Sequence, residues 1–149
     1  MPELHASYGV SQMLGYLDLF LKYQVPAILP WYLLAAQCWH ESSFNPMAVS
    51  PVGAMGMAQF MPATWNQIGK GNPFDPDASV KAQADYMLYI AIEFAEANKP
   101  GACWWIAAYT WGPTRTLHVK SWDDVPEVVK QHCYKVIETR SYYASLFPL

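Results

Sequence analysis

The chain has 149 residues, of which 53% are hydrophobic and 14% charged, with a formal net charge of −3. This length suits one domain over residues 1–149 with its own buried core. The composition excludes intrinsic disorder, which requires low hydrophobicity and high charge. The acidic balance disfavours a nucleic-acid partner, which requires a basic surface, so we expect none.

Helical spacing of apolar residues, broken by prolines and glycines, predicts a mainly α fold. The first helix is predicted over Ala6–Tyr23. Pro30 suits the start of a second, apolar helix, because a proline in the first turn lacks only an N–H that would be unpaired there. This helix must end near Ser43, since Asn45–Pro46 disfavours helical backbone. Glu41 therefore lies in its last turn.

The rest of the chain continues as short helices and loops. Further helices are predicted over residues 62–68, 76–97, 104–109, 126–132 and 139–146. Gly69 is expected to close the first of these, and Asp75–Pro76 to cap and begin the second. Residues 47–56 and 110–113 are predicted to be loops, and strand signals are weak throughout.

The sequence carries no recognisable targeting, membrane or metal motif. Residues 1–21 contain no lysine or arginine, so we expect no signal peptide. The longest charge-free run, residues 23–40, holds two prolines and is predicted to form a buried helix instead of a stable membrane insertion. The histidines and cysteines lack the spacing of metal ligands, which predicts no metal and no cofactor.

Glu41 is the first candidate for chemistry. It follows the apolar and aromatic residues of the second helix, in the segment Cys38–Trp39–His40. A carboxyl group in such surroundings loses hydration, which favours its protonated form. A carboxyl group of this kind can act as a general acid near neutral pH. From these residues alone, an exposed glutamate at a helix end is the alternative.

Residues 41–65, which begin with Glu41, form an ordered motif and read ESSFNPMAVSPVGAMGMAQFMPATW. This segment resembles the signature of the soluble lytic transglycosylase catalytic domain, within the lysozyme-like superfamily. The matching positions are Glu41–Ser42, Asn45–Pro46, Ala48, Ser50–Pro51, Gly53–Ala54, Gly56–Met57–Ala58–Gln59, Met61–Pro62 and Thr64. Segments 108–113 and 138–142 resemble two further motifs of the family. The resemblance thus covers about residues 30–145.

The resemblance implies a lysozyme-like fold and a reaction on peptidoglycan. Glu41 would be the sole catalytic acid and base. It would protonate the glycosidic oxygen between N-acetylmuramic acid and N-acetylglucosamine, and then take the proton of the muramic acid C6 hydroxyl. The product would be a 1,6-anhydromuramic acid. The sequence shows no second carboxylate of the kind that glycoside hydrolases use, which agrees with one carboxyl group performing both steps.

The resemblance also supplies a set of substrate-binding residues. They are Ser50, Gln59, Met61, Tyr109, Thr110, Glu138 and Tyr142. Ser50 would hydrogen-bond the catalytic glutamate, and Gln59 would contact sugar. The hydroxyl groups of Tyr109 and Tyr142 would approach the glutamate or the substrate. Glu138 matches a structural or supporting position of the family.

Two positions depart from the family pattern, since Ala58 stands in place of the usual Met and Thr110 in place of the usual Asn. These departures are the support for one alternative, a wall-binding or assembly module without catalysis. The other alternative is a muramidase that cleaves the same bond with water.

The lack of an export signal predicts a phage enzyme that is made in the host cytoplasm and acts on the periplasmic or extracellular wall. An endolysin, a virion component and a trimmed bacterial enzyme all remain open. We expect a monomer whose partner is the peptidoglycan glycan strand.

Overall fold

The computed structural model describes residues 7–147, and seven α-helices carry most of this part of the chain. The helices are α1 (Val10–Tyr23), α2 (Trp31–Ser42), α3 (Pro62–Ile68), α4 (Pro76–Glu96), α5 (Ala102–Trp111), α6 (Pro113–His118) and α7 (Glu127–Leu146). Short 3₁₀ turns precede α1 and α7, at Ser7–Gly9 and Trp122–Asp124. Within residues 7–147 the β-structure is confined to isolated bridges, so the prediction of a mainly α fold is confirmed.

Helix α2 forms the centre of the core. Residues 33–38 are all buried, because α2 packs against α7, α1 and α4. A helix enclosed in this way can be apolar on every side. Within the charge-free run, residues 31–40 belong to this buried helix, whereas residues 24–30 precede it and residues 26–28 are exposed, so the helix is shorter than predicted. No helix within residues 7–147 has the length and apolarity that a membrane crossing demands. Glu41 lies in the last turn of α2, where the buried helix reaches the surface.

Helix α4 follows the predicted apolar stripe. Val80, Met87 and Phe94 recur every two helical turns and are fully buried. Pro76 is its first residue, as predicted. Asp75 precedes it in an extended conformation, but its carboxylate makes no capping hydrogen bond. The Asp75 backbone carbonyl instead accepts the N–H of Ser79 at 2.9 Å.

The C-terminal half corrects two predictions. The two helices predicted over 126–132 and 139–146 are one continuous helix, α7, which begins after Pro126, and Cys133 and Val136 between the two predicted segments are buried in the core. The predicted loop at 110–113 is almost entirely helical. Thr110 and Trp111 end α5, and Pro113 begins α6, so that Gly112 alone separates the two helices with a φ of 107°.

The first helix is shorter than predicted. Tyr8 and Gly9 have φ angles of 55° and 59°, which place them in the left-handed region and delay the helix until Val10. Gly9 is required here, because a Cβ at this position would lie 2.5 Å from the Trp39 ring. The predicted start at Ala6 lies outside the described residues.

Candidate active site

Two adjoining cavities beside the end of α2 form one groove. The first measures about 270 Å³, and its wall includes Glu41 from α2, Ser50, Gln59 and Met61 from the loop after it, and Tyr109 and Thr110 from α5. The second measures about 240 Å³, shares the last four of these residues, and extends to Trp111 and Arg115. The structure thus brings Glu41 together with five of the seven predicted substrate-binding residues.

Glu41 is held at the inner wall of this groove. Its side chain is 16% exposed, and its Oε1 atom is buried without a hydrogen bond. The Nε2 atom of His132 lies 3.4 Å from this oxygen. Among the described residues, Glu41 is the only carboxylate on the wall of either cavity. Among the described residues, the groove wall therefore offers a single carboxyl group for chemistry.

His132 is the neighbour of Glu41 that the sequence analysis did not find. It lies on α7, between the two segments 108–113 and 138–142 that resemble family motifs. Its Nε2 atom is buried and makes no hydrogen bond. The residue lies three positions after Val129 and four before Val136, which are both buried. This spacing places His132 on the inner face of α7 and is the signal that could have revealed it.

Tyr109 joins the groove to the loop that carries the motif, residues 43–61, which we call the signature loop. Its hydroxyl group donates a hydrogen bond to the backbone carbonyl of Ala58 at 2.7 Å. Burial raises the pKa of Tyr109 well above its ordinary value, and the nearby Glu41 raises it further. The Tyr109 hydroxyl therefore remains a hydrogen-bond donor, and in this structure its acceptor is the backbone carbonyl of Ala58 in the signature loop and not Glu41.

The signature loop is fastened at adjacent residues. The N–H of Ala58 donates to the Ser79 hydroxyl oxygen at 3.2 Å, so both ends of Ala58 are bonded to helices. The Ser42 hydroxyl donates to the carbonyl of Met57 at 2.7 Å. Ala58 is 1% exposed and lies off the walls of both cavities. The departure from the family pattern at Ala58 therefore lies outside the groove wall.

Gln59 lines both cavities from a left-handed backbone conformation, with a φ of 56°. Such a conformation is uncommon for a residue other than glycine and indicates a position fixed by its surroundings. Its amide nitrogen donates to the carbonyls of Gly56 and Ala48, at 2.9 and 3.3 Å. The N–H groups thus stabilise the loop, and the amide oxygen is the atom left for a ligand.

Ser50 lies on the same cavity wall as Glu41. Its Oγ accepts the N–H of Ala54 at 2.9 Å, which closes a turn of the signature loop. No hydrogen bond joins Ser50 to Glu41 among the described residues. The hydroxyl hydrogen is still available as a donor. The contact implied by the family resemblance stays a prediction.

Glu138 and Tyr142 lie on α7, away from the walls of both cavities. Glu138 accepts a hydrogen bond from the Tyr8 hydroxyl at 2.9 Å, and the Tyr8 ring meets the Tyr142 ring edge-on at 5.3 Å. Their role as substrate-binding residues stays a prediction. In residues 7–147, no set of three or more His, Cys, Asp and Glu side chains is arranged to hold a metal ion.

Replacing Tyr109 with phenylalanine is expected to lower the free energy of unfolding by about 1–2 kcal/mol, because it leaves the buried carbonyl of Ala58 without its donor. Tyr86→Phe is the matched control. The Tyr86 ring lies 5.6 Å from that of Tyr109, but its hydroxyl makes no hydrogen bond within residues 7–147. Urea unfolding of both variants checks the prediction, and equal effects would contradict it.

Comparison with known sequences identifies relatives. The family model described as "Transglycosylase SLT domain" matches residues 18–126. The membrane-bound lytic murein transglycosylase F of Histophilus somni (strain 2336) is 36% identical over 107 residues, which cover 70% of this chain and 22% of that protein. That of Shewanella loihica is 29% identical over 146 residues, or 89% of this chain and 29% of the relative. The chain thus spans less than a third of the length of these relatives.

Solved structures show the same fold. The 70 kDa soluble lytic transglycosylase of Escherichia coli superposes with a TM-score of 0.73 at 24% identity, over 88% of this chain and 24% of that one. An inactive mutant of the lytic transglycosylase Slt of Pseudomonas aeruginosa gives 0.63 at 22% identity, over 78% of this chain and 22% of that one. The fold is therefore the lysozyme-like one expected from the sequence. Since the family model covers most of the chain, including Glu41 and the walls of the groove, this chain belongs to the transglycosylase SLT domain family.

Proposed function

We propose that this domain is a peptidoglycan lytic transglycosylase. It cleaves the β-1,4 bond between N-acetylmuramic acid and N-acetylglucosamine and forms 1,6-anhydromuramic acid. The observation that carries the proposal is that Glu41 is the sole carboxylate among the described residues of the groove wall. A hydrolase that inverts or retains configuration usually has a second carboxylate about 5–9.5 Å away. The names of the relatives, lytic murein transglycosylases, support the same reaction.

The proposed reaction uses Glu41 twice. Its carboxyl proton passes to the glycosidic oxygen as the bond from that oxygen to C1 of the muramic acid breaks. The C6 hydroxyl of the same sugar then bonds to C1, and its proton passes to the Glu41 carboxylate. Glu41 returns to its protonated state, and no water is consumed. The nucleophile is already part of the substrate, so the protein needs only to hold the sugar in the reactive geometry.

The groove offers polar and apolar binding surfaces beside Glu41. Gln59 presents an amide oxygen to sugar hydroxyl groups, and Thr110 presents a short polar side chain in place of the usual Asn. Met61 is 42% exposed and gives an apolar contact at the junction of the two cavities. Trp111 lines the second cavity, where an indole ring can contact a sugar face. A glycan strand can therefore extend through both cavities.

Mass spectrometry of the products released from purified peptidoglycan tests this function. The expected products carry 1,6-anhydromuramic acid ends. Products with reducing muramic acid ends would instead identify a muramidase that uses water. A protein that sediments with the insoluble wall but releases nothing would identify a binding module. The three outcomes differ by the mass of one water molecule or by the absence of product, so one digest separates them.

We further propose that the domain acts on the wall as a monomer. The walls of the groove come from one chain, so that no second copy is needed to complete it. Analytical ultracentrifugation is expected to show a single species of 16.9 kDa.

The relatives are named as membrane-bound murein enzymes, which supports action at the cell wall. Lysis of a host by a phage and passage of a phage through the wall would both use this reaction, and the phage setting stays a prediction.

A further inference from the structure

Glu41 and His132 present two buried polar atoms to each other. The Oε1 atom of Glu41 and the Nε2 atom of His132 are 3.4 Å apart, and neither makes a hydrogen bond. The side chains are 16% and 22% exposed, respectively. Buried polar atoms without a partner are rare in folded proteins, and each calls for an explanation. A separation just beyond hydrogen-bond length indicates a contact that a small movement can close.

Two further polar groups near Glu41 are engaged elsewhere. The Tyr109 hydroxyl donates to the carbonyl of Ala58, and the Cys38 thiol donates to the Gln83 amide oxygen at 3.4 Å. Among the described residues, His132 is the only basic side chain within 4.0 Å of the Glu41 carboxylate. His132 is therefore the basic group that is placed to respond to a charge on Oε1.

A second histidine, His40, packs against the His132 ring and makes its own hydrogen bond to a residue other than Glu41. The His40 ring, on α2, meets the His132 ring nearly edge-on, with centroids 6.2 Å apart. The Nε2 atom of His40 lies 2.7 Å from the Thr139 hydroxyl, whose own hydrogen is donated to the carbonyl of Lys135. His40 is thus the donor to Thr139. Burial lowers the pKa of His40, with further contributions from His132 and Lys135, so His40 remains a neutral neighbour.

We propose that His132 is a positioning residue for Glu41. Its Nε2–H donates a hydrogen bond to Oε1 as negative charge develops on the carboxylate, so that Oε2 faces the sugar. The inference rests on the reaction proposed above. His132 keeps its proton throughout, and Glu41 remains the only acid and base. A buried carboxylate needs such a donor, and catalytic hydrogen bonds that are long in the unliganded protein often tighten in the complex.

The kinetic test compares two substitutions of His132. His132→Phe keeps a ring but removes the donor, and is expected to lower kcat about 10- to 100-fold with little change in KM, as for loss of a hydrogen bond to a charged group. His132→Gln retains an N–H near the original Nε2 and is expected to recover most of the loss. His118→Phe, on the exposed face of α6, is the matched control. An unchanged kcat in His132→Phe, or a change in KM alone, would overturn the proposal.

A second test does not depend on turnover. Urea unfolding midpoints are measured for the wild type, Glu41→Gln, His132→Phe and the double variant. The shift caused by His132→Phe is expected to be smaller when residue 41 is already glutamine, because the two side chains interact. Additive shifts would overturn the proposal. His132→Gln replaces His132→Phe in the cycle if the latter does not fold. Wild-type protein that releases no anhydro product would refute the proposed function, whereas the unfolding cycle still decides the contact.

Discussion

Glu41→Gln is expected to abolish the release of 1,6-anhydromuramic acid products and to leave the fold intact. Glutamine has nearly the shape of glutamate, but its amide cannot give a proton to the glycosidic oxygen or take one from the C6 hydroxyl. General acid–base catalysis contributes about 10²–10⁴-fold to a reaction rate, and this variant loses it in both steps. We therefore expect kcat to fall by at least about 10³-fold. Product analysis by mass spectrometry measures the loss.

Glu96→Gln is the matched control for this prediction. It makes the same chemical change on an exposed residue at the end of α4 that does not line either cavity. Circular dichroism and urea unfolding of both variants separate loss of chemistry from loss of structure. Full activity in Glu41→Gln would remove Glu41 from the mechanism and direct attention to a carboxylate outside the two cavities.

Gly56→Ala is expected to lower the free energy of unfolding by about 2–4 kcal/mol, through backbone strain together with a steric clash. Gly56 has a φ of 78°, and a Cβ added there would lie 2.1 Å from the backbone carbonyl oxygen of Pro73. Neither atom can move away without displacing the signature loop from the segment before α4. Because Gln59 is bonded to the carbonyl of Gly56, we also expect activity to fall.

Gly53→Ala isolates the clash from the strain. Gly53 has a φ of 97°, but open space surrounds the position of its missing Cβ. The free energy of unfolding of this variant is expected to fall only by the cost of the unfavourable backbone conformation, on the order of 1–2 kcal/mol. Urea unfolding of the two variants gives the difference directly. Equal destabilisation would show that the close approach to Pro73 contributes nothing to stability.

Apolar periodicity predicted most of the helices but failed where polar side chains enter the core. Helix α4 could be predicted because Val80, Met87 and Phe94 form an unbroken stripe. In α7 one predicted helix ended at His132 and the next began at Thr139, two polar residues of the inner face, so the helical segment 133–138 between them was missed. Thr139 has a hydrogen-bond partner on α2, His40, and His132 lies beside Glu41 of the same helix. Local patterns contain no information on such distant partners.

The candidate site was predictable to a similar extent. The ordered motif identified Glu41 and the loop residues of the groove, and the structure brings these together. The motif did not reveal that the Tyr109 hydroxyl donates its hydrogen bond to the signature loop, because the two partners are more than 50 positions apart in the sequence. The single residue Gly112 was also insufficient to predict that α5 and α6 follow one another almost directly. Both features depend on contacts between residues that are distant in the sequence, and a local sequence pattern does not show such contacts.

The fastening of Ala58 at both ends has a consequence for how substrate enters. Its N–H group is buried and bonded to a side chain of α4, while its carbonyl is bonded to α5. This amide can exchange with deuterium only when the core itself opens, so its protection is expected to match that of the central helices. Gln59, the next residue of the signature loop, is therefore expected to keep its position on the groove wall when a glycan strand binds.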